Sequence, residues 1–281
     1  MVMKIKEVTY AKSGVIAKAA YENLRPSYSF TAQLDKNDDV EEVLKHLKGI
    51  VDNQFELDEY TAKVSLVEKQ FANLRLYPVN GFKYPSVTSV LGWDKDWYIS
   101  EGELSQYGAM GTIIHKVFED AILNYQKTGK LVWKEPEEFP ELQKEISMVR
   151  GGSLKLDWNE YSYKKFGELF IPKLGKIEAM EKVVINDEIK VGGTLDLIAP
   201  WEEKLSIIDF KTGYYGWPQL AFYGNTWSVL NKKNIEQMVI FPIGKTKNKC
   251  GYEKPKINTD IAGEWKEMLK ARETFKLRFG I

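Results

Sequence analysis

Two short stretches constrain this chain more than any others. Gly193-Thr194-Leu195-Asp196 closes an alternating run, with Val191, Gly193 and Leu195 on one side and Gly192, Thr194 and Asp196 on the other. Ile207-Ile208-Asp209-Phe210-Lys211 follows a few residues later. On a β-strand, residues i and i+2 share a face, so Asp209 and Lys211 project together while Phe210 turns into the opposite layer. Ala199-Pro200-Trp201-Glu202-Glu203 reads as the turn of a hairpin that pairs the two runs. Two carboxylates and a cation then meet at one point.

A chain of 281 residues, 43% of them apolar, can bury a substantial core, either as one elaborated domain or as two small ones. No run approaches the ~20 apolar residues of a membrane span. The opening Met1-Val2-Met3-Lys4-Ile5-Lys6 carries no secretory apolar stretch, so the expectation is a soluble cytoplasmic protein. The single cysteine, Cys250, excludes an intrachain disulfide and any four-cysteine zinc or iron–sulfur site. Oxygen and imidazole ligands remain. With 40 basic and 40 acidic residues, bulk charge gives no support to nucleic-acid binding, and the argument falls to local clusters. Asp35 to Tyr60 is acid-rich, whereas Lys232, Lys233, Lys245, Lys247, Lys249, Lys254 and Lys256 form a basic stretch. Such a stretch is either a solvated surface or a phosphate contact.

Residues 1–82 read as a separate α+β elaboration, with a β-rich start, an acidic helix near Val40 to Val51 and an alternating stretch from Ala62 to Tyr77. Partner docking, a channel wall and fold padding are all open to it. Residues 83–281 have a different texture. A lead-in, Tyr84 to Leu91, precedes an aromatic segment with Trp93, Trp97 and Tyr98, and a helical pattern runs from about Leu104 to Gln126 with Gly129 as its stop. A helical or mixed region spans Pro140 to Phe166. Three strands are expected between Met180 and Phe210, a helix over Trp217 to Leu230, a strand over Ile235 to Ile243 and a final helix over Gly263 to Phe279. That order gives an α/β core with a mixed sheet.

Gly111-Thr112-Ile113-Ile114-His115 lies on the long helix, with Glu119 one turn later on the same face. Gln219 and Tyr223 share a face of the helix that follows the strands. Each pair alone is more often structural than functional. In chain order, however, GxxxH, GxxD, DxK and QxxxY resemble the motif series of the RecB-like branch of the PD-(D/E)XK nuclease superfamily. The Tyr84–Leu91 lead-in and the Gly111–Glu119 helix are also similar to the mitochondrial genome maintenance exonuclease and its phage and bacterial relatives. The resemblance covers about Tyr84 to Ile243. Some relatives hold an iron–sulfur cluster on four cysteines, which Cys250 alone cannot supply.

The resemblance implies a restriction-endonuclease-like core and a divalent-metal-dependent DNA exonuclease acting on single-stranded or frayed ends, in a phage or bacterial recombination or repair setting. Asp196 and Asp209 offer hard oxygen ligands suited to Mg²⁺ or Mn²⁺. The family pattern adds His115, the carbonyl of Phe210 and Glu181 as further ligands, although Glu181 reads equally as an exposed strand-edge acid. It gives Lys211 the attacking water or the phosphorane charge, and Gln219 and Tyr223 the orientation of the scissile strand. Trp93, Trp97 and Tyr98 either line a passage for a single strand or form an aromatic mini-core. Gly244-Lys245-Thr246 is no phosphate-binding loop, since the required earlier glycine falls at Val239, and no nucleotide cofactor is expected. A structure-specific or flap endonuclease and a non-catalytic nucleic-acid-binding module are the alternatives.

Overall fold

Strand and helix periodicities place most elements of the second half where the pattern puts them. The computed structural model describes residues 7–19, 22–35, 37–70, 74–94, 101–151, 167, 169–211, 216–242 and 254–281. Trp97, Tyr98, residues 152–166 and the lysines 245, 247 and 249 lie outside the described residues. The chain divides into two units, Met1–Trp93 with Arg272–Ile281, and Asp94–Ala271.

In the first unit, β1 (Glu7–Ser13) pairs antiparallel with β4 (Ser27–Gln33), and β2 (Ile16–Ala19) with β3 (Glu22–Leu24). Helix α1 (Val40–Gln70) packs against β1, β2 and β4. The alternation that begins at Ala62 therefore lies on a helix. Buried Tyr60, Val64 and Val67 recur at intervals of four and three, and that helical period prevails over the local alternation. Strands β5 (Leu76–Val79) and β6 (Phe82–Pro85) form a hairpin whose two turn residues, Asn80 and Gly81, have φ of 48° and 87°. This is the left-handed pair that matches strand twist and favours Asn-Gly. Helix α2 (Val87–Gly92) starts at Ser86, whose hydroxyl accepts the Ser89 N–H at 3.0 Å. Trp93 meets Phe279 edge to face, with ring centroids 5.4 Å apart.

The second unit holds a five-stranded mixed sheet of order β11-β10-β9-β8-β7. Strands β7 (Ala179–Asn186), β8 (Val191–Trp201) and β9 (Lys204–Lys211) form an antiparallel meander. Helix α5 (Trp217–Asn231) then crosses to β10 (Gln237–Pro242), which runs parallel to β9, and β11 (Lys256–Asn258) closes the edge. Among the described residues, this unit carries the helices α3 (Glu101–Thr128), α4 (Gln143–Arg150), α5 and the first part of α6 (Ile261–Phe279). Helices flank a mixed sheet, as the fold expectation had it. The β8–β9 turn is shorter than expected: Pro200 and Trp201 stay in β8, paired with Leu205 and Lys204, and only Glu202 and Glu203 turn, at φ of 51° and 68°.

One sheet face is an aromatic and aliphatic core. Leu197, Trp201, Ile208, Phe210, Val239 and Phe241 pack there with Ile114, Phe118 and Ile122 of α3. The other side of α3 forms a second cluster with Ile146 and Val149 of α4. Helix α5 lies against the opposite sheet face: a Cβ on Gly224 would come within 3.2 Å of Ile207. Asp209 and Lys211 alternate in step with Ile207, so they project to the α5 side. Among the described residues, no helix is long and apolar enough to cross a membrane.

Candidate active site

The register of the meander aligns three acids. Leu197 pairs with Ile208, which brings Asp196 opposite Asp209, and the pairs Met180–Leu197 and Lys182–Leu195 bring Glu181 opposite Asp196. Adjacent strands lie only about 4.8 Å apart, so three carboxylates in a row repel one another unless cations intervene. Two do. From α3, His115 Nδ1 lies 3.4 Å from Asp196 Oδ2 and 3.8 Å from Glu181 Oε1. From β9, Lys211 Nζ lies 2.9 Å from Asp209 Oδ2. The amide N–H of Phe210 donates to Asp196 Oδ2 at 2.9 Å, which fixes that carboxylate from the neighbouring strand.

Burial sharpens every charge here, because Asp196 is 7% and Asp209 1% exposed. Burial pushes the Asp209 carboxyl up to about 7; the nearby Lys211 lowers it, and the Asp196 charge raises it again. Burial also acts against ionisation of Asp196, but His115 and then Lys211 hold its pKa below the ordinary carboxyl range. For His115, burial favours the neutral ring, while Asp196, Glu181 and Asp209 outweigh it and hold the pKa well above 6.5. Lys211 loses hydration, but its two carboxylate neighbours keep it protonated.

These donors fit a divalent cation. His115, Glu181 and Asp196 each present a ligand atom, and the three atoms lie within 4.8 Å of one another. The buried Oδ1 of Asp209 has no hydrogen-bond partner, so that oxygen retains its acceptor capacity. Oxygen donors with one imidazole and no thiolate suit a divalent cation.

The sequence-derived residues do not all gather at one point. Asp209 stands with Lys211, beside the His115–Glu181–Asp196 group. The Phe210 ring enters the core while its amide serves the site. Gln219 and Tyr223 face each other one turn apart on α5, where Gln219 Nε2 donates to the Tyr223 hydroxyl at 3.1 Å and the tyrosine is 3% exposed. Glu119 is turned to Lys116, at 3.0 Å. Two features escaped the sequence reading. The Phe210 amide as an Asp196 donor follows once the strand register is known. The left-handed backbone at Glu181, φ 44°, has no signal in its residue type.

A family profile described as the PD-(D/E)XK nuclease superfamily matches residues 84–277, more than half of the 281-residue chain, and that span includes every site residue named above. No curated protein matches the chain.

Proposed function

The chain belongs to the PD-(D/E)XK nuclease superfamily, and from that premise we propose that it is a metal-dependent DNA exonuclease of the RecB-like branch, trimming single-stranded or frayed ends. The observation that carries this reading is the meeting of His115, Glu181 and Asp196 beside the Asp209–Lys211 pair. The branch is supported by the order GxxxH, GxxD, DxK and QxxxY, which falls on α3, β8, β9 and α5. A match that begins at residue 84 supports assigning the catalytic part to residues 83–281.

Asp196, Asp209, Glu181, His115 and the Phe210 carbonyl would hold Mg²⁺ or Mn²⁺. Bound there, the cation supplies Lewis-acid polarisation of the phosphoryl group and acidifies water. Lys211, kept charged by Asp209, orients the attacking water and offsets negative charge growing on phosphorus. Asp196 steadies the imidazole, and the Phe210 amide steadies Asp196. Gln219, braced by the Tyr223 hydroxyl, presents its amide to the scissile strand. The burial of the tyrosine ring favours a bracing role over stacking on a base.

End-labelled linear single-stranded DNA and a covalently closed circle, each incubated with wild type and Lys211→Ala in Mg²⁺, Mn²⁺ or EDTA, test the reading. Metal-dependent loss of the linear strand alone, by wild type alone, is expected, and the position of the label then gives the polarity. Cutting of the circle replaces the exonuclease with an endonuclease. Intact DNA in all lanes leaves a binding module.

A further inference from the structure

Phe210 stands between two of the groups proposed to hold the metal. Its amide donates to Asp196, and its ring meets the His115 imidazole in a T-shaped contact, centroids 6.5 Å apart and planes at 90°. The ring is itself held in place: it is 3% exposed and packs on Phe118 at 5.9 Å, Phe170 at 5.5 Å and Phe241 at 6.2 Å. A histidine ring turned out of its plane would swing Nδ1 away from the two acids. Aromatic pairs favour an edge-to-face arrangement, so a fixed neighbouring ring holds the imidazole plane against that turn, and contacts behind a ligating histidine commonly fix its orientation toward the metal.

We infer that the Phe210 ring is a positioning residue that holds His115 with Nδ1 toward Glu181 and Asp196. The middle residue of the Asp209-Phe210-Lys211 motif thus serves the site through its side chain as well as its backbone. This rests on the reading that these groups bind a divalent cation.

The test compares Phe210→Leu with Phe241→Leu, which removes a ring from the same cluster one strand further from Asp196. Calorimetry gives Mn²⁺ affinity, and nitrogen-detected NMR in EDTA reads the His115 ring. The chain has two histidines, so a His46→Gln background isolates the signal. Phe210→Leu is expected to weaken Mn²⁺ roughly tenfold, at the low end of effects behind metal ligands, and to change the His115 nitrogen signals. Phe241→Leu lowers thermal stability but leaves both readouts in place. Phe210→Met substitutes if the leucine variant does not fold. Equal Mn²⁺ affinity in wild type and the Phe210 variant, or an equal loss in Phe241→Leu, overturns the inference alone. Wild type that binds no Mn²⁺ overturns the metal reading and this inference together.

Discussion

The exposed ion pairs of the first unit and the buried charges in the second unit's sheet are used in opposite ways. In the first, Lys63 and Glu59 meet at 2.8 Å with side chains 40% and 46% exposed, and Lys12 reaches Asp52 at 2.8 Å in similar exposure. Water screens such pairs, which add little to stability and need no explanation beyond the surface. In the second, Asp196, Asp209 and Lys211 are withdrawn from water in the middle of a sheet, where apolar side chains of similar volume would be at least as stable. Burial of like charges against the interest of the fold marks a site, and exposure of opposite charges marks a surface.

The largest effect that sharpens this contrast is expected for Asp196→Ala. Cleavage should fall roughly 100- to 1,000-fold, the range for loss of a key electrostatic group, while circular dichroism stays native. Cleavage that survives would make the buried charges structural. Next comes Mn²⁺ itself, which at 100 times its dissociation constant should stabilise wild type by about 2.7 kcal/mol. Asp209→Asn should abolish that rise in Tm, and an unchanged rise would put the metal elsewhere.

The same variant carries a pH signature. The Asp209 carboxyl titrates at about 7 in the fold against 3.8 when free, so between those values the folded state binds the proton more tightly. In EDTA, its contribution to stability is full below pH 3.8 and is lost as pH climbs through about 7. His115, held above 6.5, adds a loss in the same direction at higher pH. Thermal denaturation from pH 5 to 8 should therefore show a decline that Asp209→Asn makes shallower, and parallel profiles would contradict it. Mn²⁺ affinity should run the other way and tighten as pH rises, because the proton competes for the same oxygens.

Smaller effects belong to the first unit. Gly81→Ala forces a side chain into φ of 87° and should cost about 1 kcal/mol in chemical denaturation. Glu59→Ala removes an i,i+4 pair and should cost about 0.3–0.5 kcal/mol, less in high salt. A cost of several kcal/mol there would erase the distinction between the units.

What was legible in the sequence follows the same division. Strict alternation made Asp209 and Lys211 neighbours on one face before any register was known, and the apolar stripe of α3 announced the helix that carries His115. The length of α1 was less plain, because an alternating stretch lies within a helical one, and contacts with β1, β2 and β4 decide between them. The β8–β9 turn was misread because Pro200 resembles a breaker, whereas the bend falls on two glutamates that rarely adopt left-handed angles. Glu181 joins the site only through the pairing of β7 with β8, which one strand's pattern does not contain.

The left-handed residue at Glu181 has one more consequence. Among the described residues β7 is the outer strand of its sheet, and an outer strand with an unbroken row of free backbone groups is a template on which strands of other molecules can polymerise. The left-handed turn at Glu181 interrupts that row at the third of its eight residues, so the distortion that delivers a carboxylate to His115 also makes the sheet a poor seed for aggregation.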